Sequence, residues 1–202
     1  MEESRTNGPC PATEGFAPGD AGWQLLPAGV LSRLAAAGVD VSPRVVPSKT
    51  VLLEAGRVAD TLFFIRRGCL RLYFYDKGRD ITFQFFFEGE CVASFNSLYH
   101  RKPSLFFLES IEPSELLAVR KADFYCLLEQ EPLLKKAYEE KLIDRFHVYQ
   151  QLFLSCIKDS PRRRYEALLK SRPDIVRRVP QHYIASYLGI TPVSLSRIRN
   201  RR

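Results

Sequence analysis

The chain is poor in the residues that build metal centres. Its 202 residues include three histidines and five cysteines, and the cysteines are dispersed along the chain. Zinc sites and iron–sulfur clusters need closely grouped ligands, so we expect no metal and no other cofactor. Nucleophile elbows and phosphate-binding loops are also lacking. Together these absences argue against an enzyme.

Long hydrophobic runs are absent as well. No uninterrupted apolar segment approaches the roughly 20 residues that a membrane-spanning helix needs, and residues 1–5 do not show the charged-then-apolar pattern of a signal peptide. We therefore expect a cytoplasmic protein with no membrane partner, whose cysteines remain reduced. Residues 1–22 are rich in Gly, Pro, Ala and Glu, a composition that predicts a disordered tail.

Acidic residues are outnumbered by basic ones, mainly in the C-terminal third. Lys and Arg together number 30 and Asp and Glu 23, which gives a formal net charge of +7. The excess is concentrated in segments 162–164, 170–178 and 197–202. A basic third suits a polyphosphate partner such as nucleic acid, whereas an exposed run of charge taken alone is often only a solvated face.

Short β-strands separated by turn signals are predicted between residues 44 and 120. The predicted strands cover 61–67, 69–75, 81–87, 105–111 and 115–120. Glycines recur between them, and 76–79 is a hairpin turn. A short helix at 27–38 precedes this region. Several short strands at regular spacing favour a small β-barrel or β-roll.

One of these predicted strands is strongly aromatic. Phe83, Phe85 and Phe87 alternate along it. These side chains can line a ligand pocket or form a dry core, and we favour the core.

The sequence period changes to helical after residue 121. Segments 122–129 and 133–157 are predicted as helices that Pro132 separates. In the second helix, apolar residues four and three positions apart form a seam of the coiled-coil type, namely Leu142, Phe146, Tyr149 and Phe153. Part of this helix must pack against the strands, but about 25 residues is long for a helix in such a chain. We therefore predict a homodimer with this seam at its interface.

The most specific pattern lies in residues 181–199. Ala185 allows two helices to approach closely, and Gly189 permits the left-handed backbone of a tight turn. Thr191 is a good N-cap and Pro192 a good first residue for a second helix. The apolar residues that can form a small core are Ile184, Leu188, Ile190, Leu195 and Ile198. This spacing indicates a helix-turn-helix that reads the DNA major groove, whereas an ordinary helical hairpin would not need the terminal arginines.

The order of these elements resembles that of the Crp/Fnr family of bacterial transcription regulators. The resemblance covers about residues 28–202 and is carried by Gly68 after a strand and by segments 87–90, 184–191 and 195–198. It implies an α+β fold with an N-terminal β-roll of the cyclic-nucleotide-binding type, a long dimerisation helix and a C-terminal winged helix-turn-helix. The expected divisions are a tail at 1–22, a roll at 23–130, the dimerisation helix at 131–158 and the DNA-binding domain at 159–202.

In that family the roll carries a phosphate-binding cassette. A Gly-Glu pair meets the sugar of the nucleotide, and an Arg-Ser or Arg-Thr pair holds the cyclic phosphate. An ungapped alignment places the first pair on Ala93 and Ser94 and the second on Ser104 and Leu105. A buried phosphate without the arginine lacks a bidentate, charge-assisted contact, so we do not expect tight binding of cyclic nucleotides. Ser94, Ser104 and the possible substitute cation Lys102 are the candidate effector-binding residues.

The second helix of the motif also departs from the family pattern. Pro192 and Val193 stand where many members have an Arg-Glu pair, while the later arginine is retained as Arg197. Arginine bidentate to guanine is the commonest specific contact in the major groove, so Arg197 is the main candidate for base recognition. The residues predicted to contact DNA are Thr191, Val193, Ser194, Ser196, Arg197, Arg199 and Arg201, of which Arg199 and Arg201 are expected to hold phosphates.

The expected partners follow from this resemblance. They are a palindromic double-stranded DNA site, a second copy of the chain, RNA polymerase and an unidentified small-molecule effector. The alternative is a nucleotide- or ligand-binding regulatory module without DNA activity. Such a module would retain the cassette and would not need the helix-turn-helix, whereas this sequence shows the reverse.

Overall fold

A computed structural model of the chain describes residues 29–200. The helices are α1 (Val30–Ala36), α2 (Phe95–His100), α3 (Lys121–Gln130), α4 (Pro132–Lys158), α5 (Pro161–Ser171), α6 (Pro173–Arg178), α7 (Gln181–Tyr187) and α8 (Pro192–Asn200). The strands are β1 (Ser42–Val46), β2 (Val51–Leu53), β3 (Thr61–Arg67), β4 (Leu70–Asp76), β5 (Arg79–Phe86), β6 (Cys91–Val92), β7 (Phe107–Ser110) and β8 (Ser114–Arg120). The predicted tail at 1–22 and the predicted contact Arg201 lie outside these residues.

The strands form a roll of two four-stranded antiparallel sheets. Their orders are β1-β8-β3-β6 and β2-β7-β4-β5. The α+β class and the roll are as predicted, and β3, β4, β5, β7 and β8 begin and end within two residues of the predicted strands. The remaining strands and α2 were not predicted, because segments of two to six residues are too short to show a clear period.

Two apolar clusters hold the roll together. One lies between the sheets and includes Phe63, Leu72 and Leu108. The other packs one sheet against α1, α3 and α4 through Leu34 and Phe124, which are fully buried. The roll and the first half of α4 therefore share one continuous interior.

Gly68, which links β3 to β4, cannot be replaced by another residue without a backbone shift. Its φ is +109°, a value that L side chains rarely adopt. A Cβ built on Gly68 would lie 2.7 Å from the Cα of Ser114, at the start of β8. This close approach of two backbones explains why position 68 is a glycine, one of the residues that carry the resemblance to the family.

The long helix α4 has 27 residues and begins with a proline in its first turn. The predicted seam along it is divided between two environments. Leu142 packs against the roll interior and the Tyr149 ring lies 5.5 Å from that of Phe83, whereas Phe146 and Phe153 are 62% and 67% exposed. On a helical projection Leu142 and Tyr149 lie on the side of the seam that is nearer to the roll. The exposed apolar stripe consists of Ile143, Phe146, Phe153 and Ile157.

Helices α5 to α8 follow as one all-helical region. Ser160 caps α5, since its side chain accepts a hydrogen bond from the Arg163 amide at 3.4 Å, and Pro161 is the first helical residue, as predicted. The short α6 was not predicted. From residue 159 to residue 200 the chain contains no strand, so the wing included in the predicted fold class is not seen in the described residues.

These C-terminal helices pack on the outer face of the β2-β7-β4-β5 sheet. Phe85 and Phe87 are buried in a cluster with apolar side chains of α5 to α8. Phe83 is separated from them, because the β4–β5 register shifts between Leu72 and Tyr73, and it is partly exposed. The expectation of a dry core therefore holds for Phe85 and Phe87 and is wrong for Phe83.

Candidate nucleic-acid interface

The turn between α7 and α8 has the geometry that its sequence predicts. Gly189 has a φ of +66°, and a Cβ added there would meet no atom within 4 Å. The glycine is therefore required by its backbone conformation and not by a lack of space. The Gly189 amide donates to the Ser186 carbonyl at 3.0 Å and the Ile190 amide to the Ala185 carbonyl at 2.9 Å, which is the Schellman pattern of a helix end.

Helix α8 begins with the predicted cap. The Ser194 amide donates to Thr191 Oγ1 at 3.2 Å, and the two hydroxyl oxygens lie 3.0 Å apart. Pro192 occupies the first helical position, where the missing amide proton costs no hydrogen bond. This local chemistry fixes where the second helix starts, and hence which side chains its outer face presents.

Helix α8 has one buried and one exposed face. Leu195 is fully buried beside Ala185 of α7, which is also fully buried. The predicted contacts Thr191, Val193, Ser196, Arg197 and Arg199 are exposed, and Ser194 is half-buried. On a helical projection Val193, Ser196 and Arg197 point away from the core, with Ser194 and Arg199 at the two edges.

Asn200 is a residue of this exposed face that the sequence analysis missed. It is exposed and follows Ser196 by four positions and Arg197 by three, so it lies on the same face of α8. Asparagine can bind adenine in a bidentate manner. Asn200 follows Val193 by seven residues, which is about two helical turns, and this spacing in the sequence could have placed it on the same face.

Helix α7 is held by the roll as well as by α8. The hydroxyl of Ser186 donates to the Asp80 carbonyl at 2.9 Å and accepts from the Thr82 amide at 2.8 Å. The Arg71 guanidinium lies over the Tyr183 ring at 3.8 Å and over the Tyr73 ring at 4.0 Å. Strands β4 and β5 therefore fix the position of α7, and α7 in turn fixes that of α8.

The two terminal nitrogens of the buried Arg71 bind acidic groups of the roll. It makes two bonds of 2.6 Å to the Asp80 carboxylate and one of 3.0 Å to Glu109. A buried charge is tolerated only when it is paired in this way. Arg71 is thus a fixed platform against which the Tyr183 ring of α7 packs.

Two arginines of the basic C-terminal third pair with acidic groups of the roll. Arg178 makes a bidentate pair with Glu88 at 2.7 and 2.8 Å and also contacts Glu112. Hydrogen bonds from Arg178 lower the pKa of Glu88 to about 2. Arg172 is buried and pairs with Glu90 at 3.2 Å. The basic charge of the C-terminal third is therefore partly matched by acidic groups of the roll.

The structure brings two of the three candidate effector-binding residues together. Ser94 and Ser104 are both buried, and their hydroxyl oxygens lie 2.8 Å apart. Ser104 Oγ is also 2.8 Å from the Phe106 carbonyl oxygen and accepts from the Phe106 amide at 3.1 Å. Lys102 is exposed, and its carbonyl accepts from the Ser97 hydroxyl at 2.5 Å. Leu105, the other residue at the cassette arginine pair, is 72% exposed.

Aromatic rings occupy the space between the roll and α4. The Phe83 ring lies 4.8 Å from that of Phe106 and 5.5 Å from that of Tyr149. Inside the roll, a cavity of about 250 Å³ lies beside Ala93 and Ser94. The charged Arg44 and Asp60 also line it, together with apolar side chains such as Leu52 and Phe63. The roll thus offers room for a small ligand beside two buried hydroxyls and no buried cation at the cassette positions.

Residues 29–200 contain neither a metal-binding cluster nor a membrane-spanning helix. They contain no cluster of three or more His, Cys, Asp or Glu side chains that could hold a metal ion. None of the helices in this range has the length and apolarity needed to cross a membrane.

Known proteins share this fold. The family model of the cyclic nucleotide-binding domain matches residues 43–131, while no curated protein matches the chain significantly. The c-di-GMP-responsive global regulator CLP of Xanthomonas campestris is 16% identical, and the match covers 87% of this chain and 91% of CLP with a TM-score of 0.67. FixK2 of Bradyrhizobium japonicum is 13% identical over 81% of this chain and 84% of its own, with a TM-score of 0.68.

A third solved structure extends the comparison. The catabolite activator protein of Thermus thermophilus is 22% identical over 87% of this chain and 82% of its own, with a TM-score of 0.53. At such identities these similarities show the fold alone. The chain therefore combines a β-roll of the cyclic-nucleotide-binding type with C-terminal helices, in the arrangement of these regulators.

Proposed function

We propose that the chain is a sequence-specific DNA-binding transcription regulator that acts as a homodimer and is not controlled by cyclic AMP. The observation that carries the proposal is the pair α7 and α8. A left-handed Gly189 and a Thr191 cap join them, and α8 presents Val193, Arg197 and Asn200 on an exposed face. A short exposed helix with arginine and amide side chains is suited to reading base edges in the major groove.

The named neighbours support a regulatory role. CLP is described as a global regulator and the Thermus thermophilus protein as a catabolite activator. In this chain the corresponding arrangement comprises a sensory roll at 23–130, a dimerisation helix at 131–158 and a DNA-binding domain at 159–202. We place the regulator in the cytoplasm, with RNA polymerase as a further partner and without enzymatic activity.

The exposed stripe of α4 supports a homodimer. Ile143, Phe146, Phe153 and Ile157 are each more than 60% exposed and follow one another along one side of the helix. Single exposed apolar residues are common, but a continuous stripe marks an interaction surface. Two copies related by a twofold axis would cover both stripes and would present two α8 helices to a palindromic site.

The neutral serine pair supports an effector other than a cyclic nucleotide. A cyclic phosphate placed at Ser94 and Ser104 would find two hydroxyls and no arginine at either of these positions. Loss of the arginine removes the strongest hydrogen bonds available to a phosphate. The cavity beside Ser94 has room for a small effector of another kind, and Arg44, Asp60 and several apolar side chains also line it.

Genomic footprinting of the full-length protein tests the proposal. We expect enriched sites with twofold symmetry and half-sites separated by one helical turn, about 10 base pairs, or a multiple of it. The double variant Arg197→Ala/Asn200→Ala changes only exposed side chains and should lose these sites while keeping its fold. A protein that enriches no sequence would instead be the alternative, a ligand-binding module without DNA activity.

A further inference from the structure

Glu90 lies where the roll, α4 and the C-terminal helices meet. It follows Gly89 in the turn before β6 and is 5% exposed. Its backbone is fixed, because its amide donates to the Phe87 carbonyl at 3.1 Å and its carbonyl accepts from the Ile65 amide at 3.0 Å. Movement of the C-terminal helices away from the roll would therefore leave Glu90 behind and expose it to water.

The two carboxylate oxygens of Glu90 have different surroundings. Oε1 accepts a hydrogen bond from Arg172 Nη2 at 3.2 Å, while the same nitrogen donates to Asp174 Oδ2 at a shorter 2.9 Å. Oε2 is buried and accepts no hydrogen bond from any residue of 29–200. A buried, unpartnered carboxylate oxygen is costly when it is charged and much less so when it carries a proton.

The groups around Glu90 come from each packed element. They are Arg172 from the α5–α6 connection, Asp174 from α6, Arg145 and Tyr149 from α4, Tyr187 from α7 and Cys69 just before β4. Burial raises the pKa of Glu90 from 4.5 to about 7, and the attraction of Arg172 and Arg145 opposes this rise without cancelling it. Glu90 thus titrates near neutrality only while the C-terminal helices cover it.

We propose that Glu90 makes the docking of the C-terminal helices on the roll proton-dependent, so that its protonation holds α5 to α7 against the roll and its ionisation loosens them. This coupling concerns the contact between two parts of one chain. It goes beyond the proposed function, and it can be tested without DNA.

The direction of the effect follows from the two protonation equilibria. Undocking would expose Glu90 to water and move its pKa toward the ordinary value of 4.5, from about 7 when it is covered. Docking therefore takes up a proton between these values. The contribution of Glu90 to the stability of the docked state is fully present below pH 4.5 and is lost as the pH rises through about 7. By linkage, the docking equilibrium constant falls about tenfold between pH 6 and pH 8.5.

Cys69 provides a probe of docking. Its thiol is fully buried in the apolar cluster that the roll shares with the C-terminal helices. Cys91 is buried in the other cluster, beneath α1, α3 and α4. Undocking exposes Cys69 alone, whereas unfolding of the roll exposes both. Mass spectrometry after brief treatment with iodoacetamide resolves the two thiols.

The experiment compares full-length wild type, Glu90→Gln and Glu88→Gln at pH 6 and pH 8.5. Each alkylation rate is divided by that of the unfolded chain at the same pH, which gives a protection factor. In wild type we expect Cys69 protection to be about tenfold higher at pH 6 and Cys91 protection to be unchanged. Glu90→Gln should remove the difference. Glu88→Gln is the matched control, because Glu88 stays ionised at both pH values. Its replacement should lower the protection of Cys69 by the same factor at pH 6 and at pH 8.5.

Three results would overturn the proposal. They are equal Cys69 protection at both pH values in wild type, a pH dependence that Glu90→Gln retains, and a parallel change at Cys91, which would show general unfolding. If Glu90→Gln does not fold, carbon NMR of the wild-type Glu90 carboxyl decides the matter. A midpoint near 7 supports the proposal, and one near 4.5 overturns it.

Discussion

The hydroxyl oxygens of Ser94 and Ser104 lie 2.8 Å apart, both buried, at two positions of the nucleotide cassette. In the family that the sequence resembles, a glutamate and an arginine occupy them. Here the two side chains are neutral and satisfy each other. At these two positions the roll therefore carries no charge that could bind a phosphate.

The first prediction concerns cyclic nucleotides. Titration calorimetry with cyclic AMP and cyclic GMP should detect no binding in the micromolar range, because no guanidinium replaces the arginine at Ser104. A dissociation constant near 1 μM corresponds to about 8 kcal/mol of binding free energy. Such a value would mean that Lys102 or another cation reaches the phosphate.

The second prediction concerns the dimer. Phe146→Glu/Phe153→Glu should convert it to a monomer in light scattering, because unpaired charges in the interface would cost several kcal/mol. Both side chains are more than 60% exposed within one chain, so the monomer itself should remain folded. Leu133→Glu is the control, since Leu133 is 82% exposed near the start of α4 and outside the stripe. If the double variant stays dimeric, the dimer interface does not include this stripe of α4.

The third prediction separates base contacts from phosphate contacts. Arg197→Ala should weaken operator binding by about 1–3 kcal/mol and relax the preference at one base pair per half-site. Arg199→Ala should weaken binding to operator and scrambled DNA alike and lower the magnitude of the salt slope by about 1 per contact. Arg201→Ala is expected to behave like Arg199→Ala. Equal losses on both DNAs for Arg197→Ala would show that another residue reads the bases.

The fourth prediction compares two glycines with positive φ. Gly189→Ala should cost about 1–2 kcal/mol in urea unfolding, because only its left-handed backbone is disfavoured. Gly68→Ala should cost more, since its Cβ would also meet the backbone of Ser114 at 2.7 Å and overpacking adds about 1–3 kcal/mol. Equal losses would mean that the Gly68 region adjusts without strain.

The helix pair α7 and α8 and the turn between them were predictable because their signals act over a few residues. Gly189, Thr191 and Pro192 each impose a backbone requirement on their own neighbours, and the structure meets all three. The longer strands were predictable for the same reason, as the turn signals that separate them, such as Gly68 and Gly78, also act over a few residues. The face of α8 was predicted apart from Asn200.

The division of the α4 seam was not predictable from its spacing. Leu142, Phe146, Tyr149 and Phe153 follow one coiled-coil period, but the roll covers one edge of that stripe and leaves the other free. A periodic pattern shows which side of a helix is apolar. It does not show how much of that side the same chain will cover.

The sequence by itself determined the roll, the long helix and the turn geometry between α7 and α8, because each depends on periods and caps within one segment. Only the tertiary structure decided which charges remain free. Arg178 meets Glu88 across 90 positions and Arg172 meets Glu90 across 82, and no local pattern distinguishes these arginines from Arg197. Ion pairs of this kind arise from the packing of whole elements, since a charge is neutralised by what lies beside it in space.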